Sequence, residues 1–228
     1  MYKRFKFDET IRPHFAAFAS MPKTPSRIFV GSTFDLFHST VKIYNYEYFY
    51  VYGRHPKHTF QMLTKCPENL VEFSPFPDNC WIGVSCTNQA QFTVAVEYLS
   101  LIKAPVKFIS FEPLLKQVDY GGTCWQELYN AGINWVIIGQ QTPVKKSTMP
   151  KIEWVKDIVQ AADMCGIPVF LKDNLGQVIY DNQAFNLCTK VDHGESEFDG
   201  LELTLRQDFP IGKNGSEKTT ITTEENKA

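Results

Sequence analysis

Short apolar runs rich in β-branched and aromatic residues recur along the chain and predict strands at about 4–7 (RFKF), 28–31 (IFVG), 60–63 (FQML), 81–85 (WIGVS), 107–111 (KFISF), 135–139 (WVIIG) and 168–172 (PVFLK). Between them lie stretches with apolar residues near helical spacing, at 88–102, 123–132 and 151–166. Gly132 and Gly166 stand as helix stops, and Pro150 precedes the third start. Strands alternating with helices predict βαβ units and a parallel sheet. The strands are apolar on both faces, as when helices cover one side and a second layer or a barrel lumen covers the other. The expected fold is therefore α/β, a TIM-like (β/α) barrel of parallel strands, with a doubly wound open sheet as the alternative.

The segment 39–58 carries Tyr44, Tyr46, Tyr48, Tyr50 and Tyr52 with period two, which suits a strand, but its place between two strands calls for a crossover helix, and helix is the expectation. Its aromatic rings read as a packing surface, with a base-stacking platform as the sharper alternative. Prolines within 71–79 mark a loop. Beyond Arg206 the chain turns polar and charged. This divides it into a barrel-like domain over 1–210 and a disordered tail over 211–228.

Composition narrows the class. A chain of 228 residues with 43% apolar and 14% aromatic content suffices for one core. A formal charge of −2 leaves no broad footprint for nucleic acid, and the cluster Lys3-Arg4-Phe5-Lys6 is too short to alter that. No apolar run approaches the ~18 residues that span a bilayer, and the N-terminus lacks a secretory apolar core, so a cytoplasmic protein is expected. The six cysteines, at 66, 80, 86, 124, 165 and 188, are scattered, with no C-x-x-C pair. They read as reduced, mostly buried small hydrophobes rather than as metal ligands.

The ends of the apolar runs carry the candidate chemistry. In parallel α/β folds ligands bind beyond the carboxyl ends of the strands. Those ends hold Ser32 and Asp35, Thr64 and Lys65, Ser85, Thr87 and Asn88, Ser110 and Glu112, Gln140 and Gln141, and Lys172, Asp173 and Asn174. Residues two apart on a strand share a face, which groups Gln61 with Lys65, Gly83 with Ser85, and Ser110 with Glu112, and aligns Lys172 with Phe170 and Asn174. A Lys or Glu in such a column must be paired or have its proton affinity moved by desolvation, so Lys65, Glu112 and Lys172 are the catalytic candidates. The plainer reading is that Glu112 pairs with Lys65 or Lys172 and closes the top of the barrel.

Taken together, "RIFVGSTFDLFHS", "HPKHTFQMLTKCPENL", "NCWIGVSCTNQ", "FISFEPLL", "INWVIIGQQT", "GIPVFLKDNL" and "LRQDFP" resemble a phage-associated family of uncharacterised proteins that carry a three-cysteine motif. That family is similar in turn to radical S-adenosylmethionine enzymes such as spore photoproduct lyase. The resemblance, over about residues 2 to 210, implies a barrel whose first strand leads into a cysteine loop holding a four-iron cluster open to S-adenosylmethionine. No cysteine here matches that loop, so an incomplete barrel lacking the first strand is expected, with an iron–sulfur cluster only if the missing segment is supplied. Ser32 and Asp35 match the family's S-x-x-D-L-F, Thr64 and Lys65 its LTK, Ser85 its G-x-S and Glu112 its EPLL. Many members read GGE followed by Ser or Thr and Gly where this chain has Gly139-Gln140-Gln141-Thr142-Pro143. Ser32, Asp35, Thr64, Ser85, Asn88, Ser110, Gln140, Gln141, Asp173 and Asn174 are accordingly the cofactor-side candidates.

Three functions follow as expectations. The first is a barrel of radical S-adenosylmethionine ancestry, of phage or mobile-element type, binding a nucleoside-like or nucleic-acid-derived ligand at its mouth. The second is a cofactor-independent lyase using Lys172 as a Schiff-base amine or Lys65 as a base, with Glu112 as acid–base partner. The third is a non-catalytic module whose exposed sheet edge takes a strand from a partner polypeptide.

Overall fold

The structure, a computed structural model, describes residues 21–32, 34–41, 45–118, 124–190 and 203–210. The strand expected at 4–7 and the tail expected over 211–228 lie outside the described residues. Six parallel strands form one sheet in the order β1-β2-β3-β4-β5-β6. They are β1 (Arg27–Val30), β2 (Thr59–Thr64), β3 (Cys80–Ser85), β4 (Val106–Phe111), β5 (Trp135–Ile138) and β6 (Val169–Leu171). Every strand pairs with the next in the chain, so the described sheet has no switch point of the doubly wound kind and forms a half-barrel.

Helices α1 (Asn45–Gly53), α2 (Gln89–Leu101), α3 (Cys124–Asn130), α4 (Ile152–Met164) and α5 (Gly176–Asp181) follow in chain order. Local signals fix their ends. Asn88 caps α2 by accepting from the Gln91 N–H at 3.1 Å, while the Gln91 amide oxygen reaches back to the Thr87 N–H at 2.7 Å, a reciprocal arrangement that satisfies donors at the helix start. The helices α3 and α4 both stop on a left-handed glycine, Gly132 at φ +67° and Gly166 at φ +65°. In each case the next N–H reaches back one turn, from Ile133 to the Leu128 carbonyl at 3.0 Å and from Ile167 to the Ala162 carbonyl at 2.9 Å.

The tyrosine-rich segment forms α1, because helical spacing rather than period two puts its rings where the core needs them. Tyr48 stacks on Tyr52 one turn away, Tyr52 is buried 4.3 Å from the Phe60 ring, and Phe49 packs with Phe37, Phe73 and Phe76. It is a packing surface, with Tyr46 and Tyr50 turned outward.

Strand parity divides the interior into two clusters. Phe60, Met62, Ile82, Val84, Ile109, Phe111, Val136, Ile138, Val169 and Leu171 form the main core with the helices. The alternate positions build a smaller aromatic cluster of Trp81, Phe108 and Trp135, with Leu63, Ile137, Phe170 and Phe209 against it. Gly83 makes room for it, since a Cβ there would lie 2.2 Å from the Phe108 ring.

An element with no counterpart in the strand pattern completes this face. Strands β7 (Cys188–Lys190) and β8 (Leu203–Leu205) form an antiparallel pair, and the chain then runs along β6. The Leu171 N–H donates to the Arg206 carbonyl at 2.8 Å and the Asp208 N–H to the Val169 carbonyl at 2.9 Å. Trp135 Nε1 donates to the Asp208 carbonyl at 2.8 Å, which sets Phe209 against the Trp135 and Phe170 rings. Among the described residues, no helix is long and apolar enough to cross a membrane.

Candidate functional site

The alternate-parity side chains line one groove of about 520 Å³. Arg27 and Phe29 enter it from β1, Gln61 and Leu63 from β2, Phe108, Ser110 and Glu112 from β4 and its end, Trp135 and Ile137 from β5, Phe170 and Lys172 from β6 and its end, and Phe209 from the strap along β6. Its body is aromatic and its polar groups stand apart, a composition suited to a small ligand with a planar apolar part.

At the carboxyl ends of the strands, Lys172 Nζ lies 2.6 Å from Glu112 Oε1. Gly139, at the end of the intervening strand, permits this approach. A Cβ there would meet Lys172 Cδ at 3.1 Å and Glu112 Cγ at 3.2 Å. The two side chains remain 41% and 27% exposed, so the pair is open to a ligand and is largely solvent-screened as a stability element. Ser110 lies on the same face, two residues before Glu112, and is buried.

Arg27 is half-buried, its guanidinium carbon 3.7 Å from the centre of the Phe209 ring. Among the described residues no carboxylate or hydrogen-bond acceptor meets its N–H groups. Burial lowers its proton affinity from the ordinary guanidinium value.

Of the residues singled out from sequence, the structure brings Ser110, Glu112 and Lys172 to the groove. Ser85, also buried, is the register partner of Ser110 on the neighbouring strand. Asp35 and Thr64 form a strut on the helix side. The Asp35 carboxylate accepts from Thr64 Oγ1 at 2.8 Å, from the Lys65 N–H at 2.8 Å and from the Phe37 N–H at 3.0 Å, tying the loop after β1 to the end of β2. Ser32 and the Lys65 side chain are exposed nearby. Asn88 caps α2. Gln140 and Asn174 bind each other, with the Asn174 amide donating to the Gln140 carbonyl at 2.8 Å, and Gln141 lies beside them, partly exposed. Asp173 accepts from the Gln207 amide at 2.7 Å.

Among the groove residues not singled out from sequence are Arg27, Phe29, Phe108, Trp135 and Phe209. The first four share strand parity with the polar column and were legible by that rule. Phe209 follows the last strand of the sheet and has no such signal.

Among the described residues the cysteines do not form an iron–sulfur ligand set. Cys80 and Cys86 are buried, and burial pushes both thiols up to about 12, so they keep their protons. Cys66, Cys165 and Cys188 stand on separate elements, and no group of three metal-ligating side chains occurs among the described residues.

The fold and groove define an α/β half-barrel protein with a ligand-sized cleft on its inner face. Residues 4–207 match the model of a family described as a protein of unknown function, DUF5131, and the chain belongs to that family. No curated protein and no solved structure matches it.

Proposed function

We propose that this protein is an incomplete TIM-like barrel, of the radical S-adenosylmethionine kind found among phage-associated proteins, that binds a nucleoside-like ligand in its groove. The observation that carries the reading is one cleft joining an aromatic wall, Phe29 and Phe170 backed by the buried Phe108 and Trp135, to the Glu112–Lys172 pair at the carboxyl pole. A base stacks on the rings, worth about 1–3 kcal/mol per base. Glu112 accepts and Lys172 donates hydrogen bonds to the ligand's polar edge. S-adenosylmethionine is one such ligand. A four-iron cluster finds no cysteine set among the described residues.

The Lys172 ammonium, open to the groove and held by a carboxylate, supports a second reading, in which it condenses with a carbonyl substrate to a Schiff base while water leaves and Glu112 carries the proton. Borohydride trapping that leaves Lys172 unmodified with a panel of carbonyl compounds removes this second reading.

Titration calorimetry with nucleosides and S-adenosylmethionine tests the first. Binding with a dissociation constant below about 1 mM, weakened at least about tenfold by Phe170→Leu, is the expected outcome. An absence of heat with every member of the series overturns it.

A further inference from the structure

Arg27 sits at the far side of the same groove from the ion pair, and its environment is unusual for a surface cation. Its guanidinium lies flat enough on Phe209 to bring its carbon within 3.7 Å of the ring centre, and it lines the groove rather than pointing away from it. A stacked guanidinium keeps its in-plane N–H donors free, because the ring occupies its face and not its edge. No acceptor among the described residues takes those donors. The other groove cation, Lys172, is already neutralised by Glu112. Among the described residues Arg27 is thus the groove cation with charge to spare, and Trp135 fixes the backbone that carries its ring platform.

We infer that Arg27, stacked on Phe209, is an oxyanion-receiving subsite, so that the occupant of the groove is an anionic nucleotide-like molecule bearing a phosphate or carboxylate rather than a neutral nucleoside. The inference rests on the nucleoside-binding reading and specifies its substrate class. A planar guanidinium offers two parallel N–H groups to a phosphate or carboxylate, and desolvation within the groove strengthens such charge-assisted bonds. The aromatic wall takes the planar body between this anchor and the Glu112–Lys172 pair. Arg27 then contributes affinity only to ligands that carry the oxyanion.

The test compares the four ribonucleosides, their 5′-monophosphates and adenosine 5′-carboxylate by calorimetry on the full chain. With the wild-type protein at least one oxyanion derivative binds about tenfold or more tightly than its parent nucleoside. Arg27→Gln reduces that ratio to within about twofold, and Arg27→Lys gives an intermediate ratio. The carboxylate arm shows whether the subsite takes any oxyanion or requires phosphate geometry. A second measurement needs no variant: the favoured derivative protects Arg27 of the wild-type protein from a dicarbonyl reagent, mapped by mass spectrometry, and the parent nucleoside does not. Equal binding of nucleosides and their oxyanion derivatives, or a ratio that survives Arg27→Gln, overturns the subsite and leaves the nucleoside-binding reading standing. Absence of binding by every compound overturns both.

Discussion

Phe108 occupies the space that a side chain at Gly83 would need: a Cβ there would fall 2.2 Å from Cε2 of its ring. The two residues sit on neighbouring strands as register partners, so the ring packs over the glycine and into the groove. Gly83→Ala is expected to destabilise the protein by about 1–3 kcal/mol through overpacking. Thermal melts should show a fall on the order of 5 °C, and Gly83→Ala combined with Phe108→Leu should recover part of it. A Gly83→Ala melt indistinguishable from wild type would show that the ring moves freely.

Asp35 ties two strand ends with three accepted hydrogen bonds. Asp35→Ala should cost about 2–4 kcal/mol, since two backbone N–H groups and a buried hydroxyl lose their acceptor together. Denaturant unfolding measures this. Nucleoside affinity extrapolated to the folded fraction should stay within about twofold of wild type, because the strut lies on the helix side of the sheet.

The Glu112–Lys172 pair should behave in the opposite way. With both side chains partly exposed, Glu112→Gln and Lys172→Met should each change stability by less than about 1 kcal/mol. Each should weaken ligand binding about tenfold, because a ligand group in the groove loses a charged partner. Gly139→Ala should reproduce the binding loss by pushing the pair apart. Intact affinity in all three variants would reduce the pair to a closure of the sheet's pole.

Cys80 and Cys86 supply a pH signature. Burial raises both thiols from an ordinary value of 9.0 to about 12 in the folded protein. The folded state therefore binds more thiol protons than the unfolded state between those values. Their contribution to stability is complete below about pH 9 and is lost as pH rises toward 12. Denaturant midpoints should fall steeply over that interval, and Cys80→Ala with Cys86→Ala should flatten the slope even though the double variant starts less stable.

Much of this architecture was legible because its signals are local. The six strands of the parallel sheet follow apolar runs whose length and flanking turns require little tertiary information, and Gly132 and Gly166 mark helix ends through a backbone conformation that favours glycine. Parity placed Ser110 with Glu112, and the end of β6 delivered Lys172 to the same groove. Other polar residues at strand ends, Asp35, Thr64, Asn88, Gln140 and Asn174, satisfy backbone or one another. Sequence position could not separate these from groove residues, because hydrogen-bond partners are set by tertiary approach. Phe209 was invisible for a related reason: its place depends on an antiparallel pairing of the 206–208 strap with β6, which no periodicity announces.

That strap has a temporal consequence. Because every sheet strand precedes residue 206 in the chain, a ribosome releases Trp81, Phe108, Trp135 and Phe170 before the segment that seals them. The nascent polypeptide thus passes through a stage in which indole and phenyl surfaces lack their final lid, the kind of interval in which chaperones engage emerging domains. The proposed oxyanion subsite and the completion of folding thereby converge on one short piece of backbone, and cleavage just before Arg206 would remove both together.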